Sequence, residues 1–138
     1  IEVFNYNSFS FKRNLPKSGI EIKIGAIIYI MLLSPKISLE FDEKISLIDF
    51  RKKNLNELKK AILKSVSKSP QISSEDLQKE MITKGFTIQI KNFMQSNYPS
   101  RLNLDLNNIN DENGKKIFQE LLDLVDIRKI SFSENNQN

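Results

Sequence analysis

The sequence has no cysteine, no histidine and no tryptophan, and only four glycines and four prolines among 138 residues. Without cysteine there are no disulfides, no thiolate nucleophile and no cysteine-ligated zinc or iron–sulfur site. Without histidine the commonest metal ligand and the commonest general base are both missing. Sparse glycine and proline argue against a turn-rich β-sandwich and against a disordered linker chain. No signal peptide is visible. The most apolar run, Ile24 to Leu33, has about half the length of a membrane span and reads as a buried core helix. The first residue is Ile1, so the chain is expected to be a fragment or processed product of a longer parent.

What is present is a single-domain length, sufficient to bury a core without staples. Lysine and arginine exceed aspartate and glutamate by 21 to 17, a formal charge of +4. That mild excess suits a protein near nucleic acid, but the joint abundance of Lys, Ile and Asn also reads as base-composition bias. Residues 1 to 18 alternate aromatic, Asn, Ser and Lys without a helical period and read as a linker or extended arm. Ser131 to Asn138 read as a polar tail.

Between them, hydrophobic periodicity predicts an all-α bundle of about six helices over 19–130. Ser18-Gly19-Ile20-Glu21 has the form of a capping box, and a helix over about 19–33 follows. It is apolar on two sides, as a central helix must be. Ile20 to Ile24 alternates like a strand, but the unbroken run from Ala26 to Leu33 favours helix. Pro35 can open a second helix, about 35–45. Leu55, Leu58, Ile62 and Val66 stripe a third, about 55–68, with Asn54 to Glu57 as its cap and Lys59, Lys60, Lys64 and Lys68 on its other face. Ser73 or Ser74 starts a fourth that runs to about Lys84, and Gly85 is its stop. A fifth segment spans 87–96, with Phe86, Ile90, Phe93 and Met94 inward. Residues 99–107 read as a loop. A long last helix is expected over about 109–130, with Ile117, Phe118, Leu121, Leu122, Leu124 and Val125 as its apolar stripe.

Several catalytic patterns fail on inspection. Ser65-Val66-Ser67-Lys68 matches S-x-x-K but lacks the partner motifs of serine β-lactamases. Asp105-Leu106-Asn107 begins like a calcium loop, yet Ile109, Asn110 and Lys116 stand where a ligand, a glycine and a glutamate are needed. Glu40, Asp42 and Glu43 read as a solvated acidic face rather than a pair with separated pKa values. Lys60, Lys64 and Lys68 are four apart and align along one helix face, so they are candidate phosphate contacts. No interleaved aromatics accompany them. The apolar edge of the last helix (Phe118, Leu122 and Val125, with Arg128 beside them) is the candidate protein-binding surface.

The order of features resembles a known family. A doubly apolar helix ends in a proline dipeptide, Gly25-Ala26-Ile27-Ile28-Tyr29-Ile30-Met31-Leu32-Leu33-Ser34-Pro35. Next come an acidic short helix, Ile45-Ser46-Leu47-Ile48-Asp49-Phe50, and a helix over Asn54 to Val66. Ser74-Glu75-Asp76-Leu77, Lys84-Gly85-Phe86 and Phe118-Gln119-Glu120-Leu121-Leu122 complete the series. Over residues 19–130 this resembles the C-terminal, helicase-binding domain of bacterial replicative DNA primase, most closely its alphaproteobacterial versions. The resemblance implies a non-catalytic, monomeric helix bundle in the bacterial cytoplasm that docks on the N-terminal domains of the hexameric replicative helicase. Zinc and magnesium would belong to the zinc-binding and polymerase domains of the parent, and this chain would hold no cofactor and meet no membrane. Family members often carry tryptophan near where Phe118 stands and usually continue into a terminal helical hairpin. The alternatives are a basic helical nucleic-acid-binding domain, the similar bundle at the N-terminus of a replicative helicase, and an enzyme with a carboxylate-only site.

Overall fold

The computed structural model describes residues 19–103 and 105–127. The expected arm, the Ser18 cap, the polar tail and residues 128–130 of the expected last helix lie outside that range. Among the described residues there are eight α-helices and no strand, so the chain folds as the all-α bundle that periodicity predicts.

Helix α1, Gly19–Leu33, is the axis. Every residue from Ile24 to Leu32 is buried, and α1 touches α2 (Pro35–Glu40), α4 (Lys53–Lys68), α5 (Ser74–Thr83), α6 (Thr87–Met94) and α8 (Glu112–Val125). A helix surrounded in this way cannot show an amphipathic stripe, which is why its sequence is apolar on all sides. Its C-terminal carbonyls are buried and must find donors within the protein. Ser34 N donates to Ile30 O at 2.8 Å, Ser38 Oγ to Met31 O at 2.9 Å, and Ser74 Oγ to Leu32 O at 2.7 Å. Ser34 also caps α2, accepting from Ile37 N, and donates to Asn110 Oδ1.

The segment expected as one helix over 35–45 divides into α2 and α3 (Asp42–Leu47) at Phe41. Phe41 turns its ring onto Phe118 of α8, with centroids 5.4 Å apart. Asp42 and Glu43 then start α3, where negative charge suits the helix dipole. The α2–α3 segment runs alongside α8 in the same direction: Lys115 Nζ meets Glu40 Oε1 at 3.0 Å, Lys44 Nζ meets Gln119 Oε1 at 2.6 Å, and Arg51 Nη2 donates to Val125 O at 3.0 Å.

Helix α4 starts at Lys53, ahead of the expected cap. Asn56 does not cap it but reaches back to the preceding loop, accepting from Phe50 N at 2.9 Å. Helix α5 has Ser73 as its N-cap, and Gly85 takes a φ of 100° after its end, as its stop role requires. Tyr98 and the first part of the 99–107 stretch expected as loop form α7 (Tyr98–Leu102), with Pro99 in its first turn. A 3-10 turn over Leu106–Asn108 follows. Asp105, the first residue of the rejected calcium-loop pattern, caps that turn by accepting from Asn107 N at 3.1 Å. The last helix begins at Glu112 rather than 109, because Asp111 caps it and Ile109 is drawn into the core.

Candidate functional site

Three surfaces compete for function. The first is α8. Its stripe residues Phe118, Leu122 and Val125, expected at a partner interface, are buried in the core against α1 and the α2–α3 segment. This corrects the expectation: a side chain already enclosed has no area left to bury against a partner. Arg128 lies outside the described residues. The apolar side chains that α8 does expose are Leu124, 52% exposed, and beyond its end Ile127, 55% exposed. Leu47 of α3 is 64% exposed. It lies between Lys44 and Arg51, which both bond to α8, so it stands beside that helix near its C-terminal end.

The second surface is the outer face of α4. Lys60, Lys64 and Lys68 are all exposed there, in the line their spacing requires. Lys64 shares a shallow groove with Asp42 and Glu43 of α3, which offset part of its charge. Lys59, expected on this solvated face, is instead only 4% exposed. It lies four residues after Leu55 and three before Ile62, within the apolar stripe. Its Nζ donates to the carbonyl of Ile48 and lies 5.0 Å from the centre of the Phe50 ring. Burial pushes its pKa below the usual lysine value, against the raising influence of Asp49. Ser65 of the S-x-x-K pattern is buried while Lys68 is exposed, so the two do not form a nucleophile and base.

The third is a corner at the start of α4. Asp49 Oδ1 accepts from Arg51 N at 2.8 Å and from Asn56 Nδ2 at 2.9 Å. These bonds, that of Asn56 first, hold the Asp49 carboxyl below its ordinary pKa. They also hold Arg51 at a φ of 71°, a left-handed conformation that non-glycine residues seldom adopt. The strained turn aims the Arg51 side chain at the C-terminal carbonyl of α8 and along the mouth of a cavity of about 400 Å³. The cavity is walled by α1, α4, α6 and α7 residues, with Ile24, Leu55 and Phe93 on its apolar sides. Tyr98 reaches into it, its ring 5.7 Å from that of Tyr29 and its hydroxyl over Gly25, where a Cβ would overlap it. Burial raises the Tyr98 pKa. Nothing in the order of apolar residues announces this cavity; it arises from where Tyr98 packs on Gly25, some 70 residues away in sequence (positions 25 and 98).

Among the described residues no group of three or more acidic side chains is placed to hold a metal ion. No helix among them is long and apolar enough to cross a membrane. Compared with protein-family models, with curated proteins and with solved structures, the chain finds no match.

Proposed function

We propose that this chain is the docking module of a bacterial replicative primase, one that seats its parent on the N-terminal domains of the hexameric replicative helicase. The observation that carries the reading is the helix order. A two-sided apolar helix ends at Ser34-Pro35, a broken acidic segment follows, and α4, α5 and α8 pack around the first helix as one bundle. The exposed apolar side chains at the end of α8, Leu124 and Ile127 with Leu47 beside them, supply the contact surface in place of the buried stripe. Docking would act by recruitment, raising the concentration of the parent's polymerase domain at the fork, where zinc and magnesium chemistry would take place. The test is binding of the full chain to the hexameric helicase of the same organism. The reading expects saturable binding that Leu124→Glu with Ile127→Glu removes while the thermal midpoint is kept. Absence of binding by the unmodified chain overturns it.

A second reading is nucleic-acid binding by α4, favoured by the simultaneous exposure of Lys60, Lys64 and Lys68. It ranks below the first because Asp42 and Glu43 stand beside Lys64, and an anionic backbone would meet them as well.

A further inference from the structure

Arg51 holds a left-handed φ of 71°, and a side-chain-bearing residue keeps such a conformation only where its surroundings over-determine it. They do so here. Asn56 of α4 accepts from the amide of Phe50, whose ring is fully buried, and donates to Asp49. Asp49 in turn accepts from the amide of Arg51. The turn is thereby tied to α4 and to the core. What it presents is the guanidinium: Nη2 donates to Val125 O at 3.0 Å, across 74 positions of sequence.

The far end of that bond needs a donor. Val125 is the last residue of α8, and a carbonyl at a helix end has no donor within the helix. Helix α8 has no basic side chain in its last turn, and a carboxylate residue, Asp126, stands at its C-cap. Negative charge there opposes the helix dipole, so the cation that suits this end is the one Arg51 brings. The chain leaves the helix at Asp126, whose φ of −73° and ψ of 106° are extended. Exposed Leu124 lies on one side of that bend and exposed Ile127 on the other. Leu47, the third exposed apolar side chain at this end, lies four residues before Arg51, on the segment that carries the guanidinium. The other tie nearby, Lys44 to Gln119, is exposed and competes with water, whereas the Arg51 bond is partly buried.

We infer that Arg51 is the positioning residue of the docking patch: its guanidinium fixes the end of α8, and so the placement of Leu124 and Ile127 relative to each other and to Leu47. Its role in docking rests on the docking reading; its hold on α8 does not. The experiment compares the full unmodified chain with Arg51→Gly and Arg51→Lys, by amide hydrogen exchange and by binding to the hexameric helicase of the same organism. Glycine relieves the left-handed strain, so Arg51→Gly should keep the thermal midpoint. The Asp126 amide, which donates to Leu122 O, should nevertheless exchange about tenfold faster, the weight of one bond from a charged donor, while the Ile28 amide of α1 is unchanged. Helicase affinity should fall severalfold with it. Arg51→Lys, which keeps a cation in reach of Val125 O, should recover part of both losses. If residue 51 serves only to turn the chain, glycine serves at least as well, and unaltered exchange at Asp126 overturns the inference whatever the helicase does. Faster exchange with helicase affinity unaltered overturns it too, since the patch would not depend on the clamp. Faster exchange in a protein whose unmodified form binds no helicase upholds the hold on α8 and removes the docking reading.

Discussion

Lys59 shows how a single position on α4 departs from its sequence reading, and Lys59 and Ser65 each carry a prediction. The Lys59 ammonium is enclosed, bonded to Ile48 O and set over Phe50, and burial lowers its pKa from 10.5. Between that lowered value and 10.5 the unfolded chain holds more protons than the native one, so the contribution of Lys59 to stability rises with pH. Denaturant unfolding of the unmodified chain and of Lys59→Met should therefore diverge in favour of the unmodified chain as pH climbs toward 10.5. Tyr29 and Tyr98, whose raised pKa values act in the opposite sense above pH 10, are common to both proteins and cancel. A difference independent of pH would contradict the buried charge. Ser65 has a buried hydroxyl without a partner among the described residues. Ser65→Ala removes that orphan and improves helix propensity, so it should raise the unfolding free energy by roughly 1 kcal/mol. Both placements were legible in principle. Lys59 is four after Leu55, and Ser65 is three after Ile62, so both fall on the buried side of the helical wheel. Residue type opposes the first, since a lysine ordinarily faces solvent.

At the scale of the element, existence was easier to read than boundaries. Ser73 and Gly85 bracket α5 as their chemistry predicts. The break at Phe41 was not readable, because no glycine or proline marks it; tertiary packing of Phe41 on Phe118 decides it. Pro99 lies in the stretch expected as loop and stands instead in the first turn of α7, a position that suits its fixed φ. Helix α8 starts three residues later than the expected 109, because the chain first passes through the 3-10 turn over Leu106–Asn108 and then needs a cap. Asp111 takes the role, accepting from Asn113 N at 3.0 Å and Gly114 N at 3.1 Å. Asp111→Ala should cost about 1 kcal/mol in thermal or denaturant unfolding. Gly114 poses a sharper test. Glycine to alanine within a helix ordinarily gains about 1 kcal/mol. Here a Cβ would run into the backbone of Ile109, which folds back onto α8. Backbone overlap outweighs propensity, so Gly114→Ala should lower the thermal midpoint; a rise would mean that the turn before α8 yields easily.

For the whole molecule, the fold class followed from a run that is apolar on every side within a helix-rich pattern, and such a run has only the centre of a bundle to occupy. The functional surface was harder to read, because the last helix presents more apolar residues than its core face requires. Phe118, Leu122 and Val125 go inward, and Leu124 and Ile127 remain outside; which way each turns is set by the α2–α3 segment lying along α8. The two readings of function thus fall on different faces and can be separated in one set of proteins. Lys60→Glu, Lys64→Glu and Lys68→Glu together should leave helicase docking unchanged, whereas Leu124→Glu with Ile127→Glu should abolish it. If α4 instead binds duplex DNA through those three lysines, the slope of log affinity against log salt should be about −3, and the lysine substitutions should bring it close to zero. A chain whose helicase binding survives the α8 substitutions and fails with the lysine substitutions would move the docking surface to α4, leaving the exposed end of α8 without a role in it.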